Sequence, residues 1–179
     1  VKKSNGKLHI MGLVSDGGVH AHTSHFKALL DLAKQQGVAE KTYLHAFTDG
    51  RDTPQESGYG YVENLVNYGF NIATVSGRFY AMDRDNNWDR VQKAFDTMTL
   101  GAGEVKASAL EGIKDSYAAG IQDEFIVPFV VNKDGLISDN DAVIFANFRP
   151  DRAIRMATAL SNPEATATLV TEGKASLDI

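Results

Sequence analysis

Apolar and polar positions fall into blocks that repeat a strand-then-helix order. Leu8 to Val14 is a short apolar run stopped by Ser15-Asp16-Gly17-Gly18, after which Phe26, Leu29, Leu30, Leu32 and Ala33 recur at helical spacing until Gly37. Tyr43 to Thr48 predicts a second strand, ended by Asp49-Gly50-Arg51-Asp52-Thr53-Pro54. Tyr61, Leu65, Val66 and Tyr68 then predict a helix that closes at Gly69. Ile72 to Val75 is β-branched enough for a third strand, and an amphipathic helix carrying Trp88, Val91, Ala94, Phe95 and Met98 follows a polar stretch. The middle of the chain is less regular. Leu110, Ile113, Lys114 and Tyr117 give a helical pattern between Ala107 and Ala119, and Glu124 to Val131 predicts a strand near a sheet edge, because Pro128 has no N–H to give a ladder. Ala142 to Phe148 predicts a buried strand, with Pro150 in the first turn of a helix through Ile154, Met156, Ala157 and Leu160. Thr168 to Val170 predicts a last short strand.

Strands alternating with helices predict an α/β fold, a three-layer α/β/α arrangement around a largely parallel sheet, without revealing strand order. The 179 residues, 43% of them hydrophobic, suit one domain over residues 1–179. A formal charge of -5 speaks against a nucleic-acid partner, which favours a basic face. The absence of cysteine removes disulfides, zinc–cysteine sites and thiol chemistry. Apolar runs such as Phe125 to Val131 are far shorter than the roughly 18 residues that span a bilayer. No stretch reads as a secretory signal. A cytoplasmic location without a membrane partner is expected.

Four polar clusters follow four predicted strands: SDGGVHAH at 15–22, DGRD at 49–52, SGRFYAMDR at 76–84 and FRPDR at 148–152. In open α/β sheets the ligand crevice lies at the carboxyl ends of the strands, so these clusters are expected to converge. Arg51, Arg78, Arg84, Arg149 and Arg152 would then share a site with His20 and Asp52. Guanidinium groups 4 Å apart repel by about 4 kcal/mol at an effective dielectric of 20, so such a site calls for an anion, with carboxylates in the motifs offsetting part of the charge. The planar fork of arginine fits phosphate and carboxylate bidentately. Arg152 is expected in the first turn of a helix, where free N–H groups also favour phosphate. The competing reading pairs each arginine with a neighbouring aspartate on a solvated loop. It is about as good for any one motif and weaker for four together.

Other residues in these clusters read as structural. Arg90 is expected inside a helix, held by Asp89 and other nearby acids. Phe79 and Trp88 are expected to pack, and Asp83 and Asp85 to hold their loop. His20, His22 and His25 match no strong zinc signature, so no metal site is expected in the chain. His20 is the functional candidate, His22 or His25 would cap or pack a helix start, and His9 and His45 are structural. Asp52 is the candidate general base, its alternative being a turn or cap residue before Pro54. Ser15 and Ser76 lack an evident base partner, so nucleophilic catalysis is not indicated.

The motifs GLVSDGGVHAH, HAFTDGRDTP, SGRFYAMDRDNNWDR and NFRPDR, in this order from about Leu8 to Arg152, resemble those of the cofactor-independent (2,3-bisphosphoglycerate-independent) phosphoglycerate mutases. That resemblance implies a glycolytic isomerase interconverting 2-phosphoglycerate and 3-phosphoglycerate. In such enzymes a phosphatase-like domain carries two manganese ions and a serine nucleophile, and an inserted phosphotransferase domain binds the substrate. This chain resembles the inserted domain alone: it has no GNSEVGH-like serine motif and no DHGN-like metal segment. The resemblance therefore implies that the chain alone is inactive and binds no manganese. It assigns substrate binding to His20, Arg51, Asp52, Arg78, Arg84, Arg149 and Arg152, with Asp52 the candidate for the hydroxyl proton. Pro150 stands where many relatives have alanine. The alternative is a stand-alone phosphate- or carboxylate-binding domain without catalysis.

Overall fold

Three runs buried along their whole length, LHIMGL, LHAFT and IATVSG, build the centre of the sheet, as expected of strands covered on both faces. A computed structural model describes residues 1–162; the strand expected at Thr168 to Val170 lies outside them. Strands β1 (Leu8–Leu13), β2 (Thr42–Thr48) and β3 (Ile72–Gly77) lie side by side and parallel. β4 (Phe129–Val130) pairs antiparallel with β3, and β5 (Ala142–Phe145) is parallel to β1, giving the order β4-β3-β2-β1-β5. The expected α/β fold with a mostly parallel sheet is thus present.

The helices are α1 (Thr23–Gln35), α2 (Gly58–Tyr68), α3 (Arg78–Ala81), α4 (Trp88–Leu100), α5 (Ala109–Ala118) and α6 (Ile154–Ser161). α2 packs beside α1 and α5, and α4 beside α3 and α6. Together with the strands they enclose a core around Ile10, Leu13, Phe26, Leu44, Phe47, Leu65, Val75 and Met98. Local chemistry sets several ends. Ser108 accepts from the Glu111 amide at 3.1 Å to start α5, and the His22 imidazole accepts from the Ser24 amide at 3.2 Å to start α1. Gly69 and Gly101, in left-handed conformation, end α2 and α4.

Three expectations need correction. The strand expected over Glu124 to Val131 is only two residues long. Asp123–Phe125 forms a 3-10 turn, and the Gly77 amide bonds the Ile126 carbonyl at 2.8 Å, so that carbonyl serves β3 before β4 begins. The strand expected to reach Phe148 ends at Phe145, because the amides of Phe148 and Arg149 turn to the His20 carbonyl, at 2.8 and 3.4 Å. The last helix starts at Ile154 rather than Pro150. The Pro150 carbonyl takes the amides of both Ala153 and Ile154, so Arg152 sits in the turn just before the helix rather than in its first turn.

Two features of the strands carry unusual demands. Gly12 in β1 has φ of +149°, and a Cβ there would lie 2.7 Å from the Asn147 side-chain oxygen, which accepts from the Leu13 amide at 3.0 Å. The close approach of Asn147 therefore requires glycine at this point. A buried polar chain also crosses the sheet from β3 through β2 and β1 to Asp141. Thr74 Oγ1 is 2.8 Å from His45 Nδ1, His45 Nε2 is 3.0 Å from His9 Nδ1, and His9 Nε2 is 2.8 Å from Asp141 Oδ2. With Asp141 as an acceptor, the donors run in one direction: His9 to Asp141, His45 to His9, and Thr74 to His45. His9 and His45 are structural, as expected.

Candidate functional site

Because β1, β2, β3 and β5 are parallel neighbours, the segments that leave their carboxyl ends emerge on one side of the sheet. These are the four polar clusters. The His20 carbonyl, bonded to Phe148 and Arg149, ties the first cluster to the last.

Arg78, at the start of α3, is only 2% exposed. Its Nη1 donates to Asp49 Oδ1 and to Asp52 Oδ2, both at 2.7 Å. Asp49 is equally buried and takes the Ser15 hydroxyl at 2.6 Å and the amides of Arg51 and Asp52 at 3.1 and 2.9 Å. Burial alone would raise the Asp49 pKa, but the Ser15 hydroxyl, the Asp52 amide and Arg78 together hold it below the usual carboxylate range. A carboxylate so stabilised is a weak base. Ser15 therefore has a carboxylate partner that its local sequence does not reveal, yet it is no better a nucleophile for it.

His20 is buried with Nε2 4.0 Å from Asp52 Oδ2 and Nδ1 3.7 Å from Asp151 Oδ1. Burial lowers its pKa, Arg78 pushes it the same way, and Asp52 and Asp151 oppose them, which favours the neutral imidazole. Arg84 and Arg149 reach one carboxylate: each donates to Asp151 Oδ2 at 3.1 Å. Arg152 donates from Nη1 to the Met82 carbonyl at 3.2 Å. Its pKa is lowered by burial first and then by the charges of Arg78, Arg84 and Arg51, the electrostatic mark of cations crowded together. Arg51 stands at the rim, half-exposed and 3.5 Å from Glu124.

Sequence similarity decides the family in which this arrangement belongs. Residues 1–177 match the family described as BPG-independent PGAM N-terminus. The chain belongs to this family. It is 72% identical over 178 residues to the 2,3-bisphosphoglycerate-independent phosphoglycerate mutase of Acholeplasma laidlawii, covering 99% of this chain and 35% of that protein. It is 58% identical over 175 residues to the enzyme of the same name from Aster yellows witches'-broom phytoplasma, covering 97% of this chain and 34% of that protein. A crystal structure of Leishmania mexicana phosphoglycerate mutase at low cobalt concentration superposes with a TM-score of 0.81 at 32% identity, over 88% of this chain and 32% of that one. The chain thus spans about a third of the length of these relatives.

In this family member, His20, Asp52, Arg78, Arg84, Arg149 and Arg152 come together, and Arg51 lies at their edge. Sequence reasoning does not single out Asp49 and Asp151 as partners, although both sit inside the DGRD and FRPDR motifs. Arg90 lies inside α4 as expected and is held by a nearby acid, Asp83 at 3.8 Å, rather than by Asp89, with its guanidinium 3.9 Å over the Phe79 ring. Asp83 does hold the loop, taking the amides of Asp85 and Asn87 at 3.0 and 2.9 Å, whereas the Asp85 side chain is exposed. His25 packs edge-on against Phe148. Among the described residues no group of three or more His, Asp or Glu side chains is placed to hold a metal ion, so these residues do not fit a manganese site.

Proposed function

We propose that this chain is the substrate-binding part, a single unit over residues 1–179, of a phosphoglycerate mutase that interconverts 2-phosphoglycerate and 3-phosphoglycerate. The observation that supports this reading most is the meeting of five guanidinium groups, His20 and Asp52 at the carboxyl ends of four strands. Such a density of fixed cations suits a small molecule with both phosphate and carboxylate. Arg84, Arg149, Arg152 and Arg51 take the charges of the ligand. Arg78, already bonded to two aspartates, holds Asp52 beside His20, where the carboxylate can accept the proton of a substrate hydroxyl.

The serine that takes and returns the phosphoryl group, and the two manganese ions implied by the resemblance, belong in this reading to a phosphatase-like part of a longer protein. Exposed Val19, Phe125 and Phe148 flank the site and offer apolar surface to that part. A cytoplasmic location follows from a role in glycolysis. No helix among the described residues is long and apolar enough to cross a membrane.

Calorimetry with 3-phosphoglycerate tests the reading. The chain is expected to bind it, and Arg149→Ala and Arg84→Ala to weaken binding at least about ten-fold each, the scale of removing a charge-assisted hydrogen bond to the ligand. Binding that survives both substitutions unchanged would rule the site out. Activity is expected only when the complementary part is added, and interconversion by the chain alone would sink the division of labour.

A further inference from the structure

Three loops meet on the Asp151 carboxylate. Its Oδ2 accepts from Arg84 Nη1, in the loop after α3, and from Arg149 Nη2, in the loop after β5. Its Oδ1 lies 2.9 Å from Arg149 Nε and 3.7 Å from His20 Nδ1, in the loop after β1. Two guanidinium groups and an imidazole around one carboxylate are the surroundings a bound carboxylate or one face of a phosphate would receive. The fit is incomplete: His20 Nδ1 is buried without a hydrogen-bond partner, and Asp151 Oδ1 meets Arg149 Nε as an ion pair without hydrogen-bond geometry. An unpaired buried polar atom is costly, so this occupant leaves room for a better one.

We propose that Asp151 is a resident counter-ion in the anion subsite formed by Arg84, Arg149 and His20, and that an incoming ligand oxygen group displaces it. The proposal rests on the substrate-binding reading above and deepens it. The two arginines of the subsite differ from Arg78 in a way that permits exchange. Their side chains are 43% and 47% exposed, whereas Arg78 is locked between two buried or half-buried aspartates. Exposed ion pairs are weak and readily traded, while breaking a buried pair leaves an uncompensated charge. The Asp151 carboxyl is kept ionised: burial opposes this, but the hydrogen bonds from Arg149 and Arg84 lower its pKa. Asp151 therefore competes in two ways. It occupies the N–H groups a ligand needs, and its charge repels the ligand until it swings away.

Removing that charge is the test. Asp151→Asn and Asp151→Ser are compared with the unsubstituted chain by calorimetry, using 3-phosphoglycerate, inorganic phosphate and D-glycerate as probes. Both substitutions are expected to tighten 3-phosphoglycerate binding about three- to ten-fold, the scale of two exposed ion pairs no longer competing. A parallel gain for phosphate assigns the subsite to the phosphate end of the ligand, and a gain for glycerate to the carboxylate end. Equal or weaker 3-phosphoglycerate binding by both variants overturns the proposal and makes Asp151 a fixed brace. If the unsubstituted chain binds and Arg149→Ala abolishes binding while Asp151→Asn changes nothing, only the counter-ion role fails. If neither the unsubstituted chain nor either variant binds, the substrate-binding reading fails with it.

Discussion

Asp49 shows how much one carboxylate can organise. It receives a guanidinium, a hydroxyl and two amides, and so fixes Arg78, Ser15 and the backbone of the loop that carries Asp52. Asp49→Ala is expected to destabilise the chain by about 3 kcal/mol, because it strips a buried arginine of one of its two counter-ions; urea unfolding measures this. Asp49→Asn keeps the shape and should lose less. Gly12→Ala tests a different constraint. The Cβ would press on the Asn147 oxygen in a backbone conformation alien to alanine, for an expected loss of about 1–3 kcal/mol in the same assay. The arginines are legible in the sequence because type and position after a strand both point to them. Asp49 and Asp151 are not, since adjacency in sequence does not say which carboxylate turns inward: Asp49 faces Arg78, 29 residues away, rather than its neighbour Arg51.

At the scale of elements, periodicity reveals long segments and misses short ones. α1, α2, α4 and α5 extend over three turns or nearly so, enough for an apolar stripe to recur. α3 has four residues and no room for a period, so SGRFYAMDR reads as an irregular link. The loop after α3 is instead organised by polar contacts. Asp83 takes the amides of Asp85 and Asn87 and the Asn87 side chain at 2.8 Å, and Arg155 donates to the Arg84 carbonyl at 2.9 Å. Asp83→Ala should therefore free the segment that presents Arg84. Hydrogen exchange at the Asp85 and Asn87 amides is expected to rise about ten-fold or more, with 3-phosphoglycerate binding weakened; unchanged exchange would show that other contacts, such as Arg155 to the Arg84 carbonyl, hold the loop.

For the whole molecule, the chain His45–His9–Asp141 links stability to pH. Burial is the main cause lowering the pKa of both imidazoles below the ordinary 6.5. The unfolded chain takes up those protons near pH 6.5 while the folded chain does not, so stability is complete above this value and declines as pH falls below it. Asp141 adds a second loss. Burial opposes its ionisation, but hydrogen bonds from Lys7, His9 and Ser138 hold its pKa at about 2, so its contribution disappears as pH falls from 3.8 towards 2. The melting temperature is expected to fall steadily below pH 6.5, with a shallower slope in His45→Gln, which removes one of the imidazoles whose pKa burial lowers. A melting temperature independent of pH in that range would contradict the folded-state network.

Local information is sufficient for what depends on neighbours along the chain: strands from unbroken apolar runs, helices from stripes, and arginine-rich loops at strand ends, although the run at Ala142, expected to be buried, forms a half-buried edge strand. Their motifs alone also carry the family resemblance. Strand order and the shortening of β4 and β5 are decided by hydrogen bonds between distant segments, such as Gly77 to Ile126 and Phe148 to His20. The same holds for the site. Its cations are a property of the sequence, but the carboxylates that balance them are chosen by folding, because charge pairing depends on distance in space.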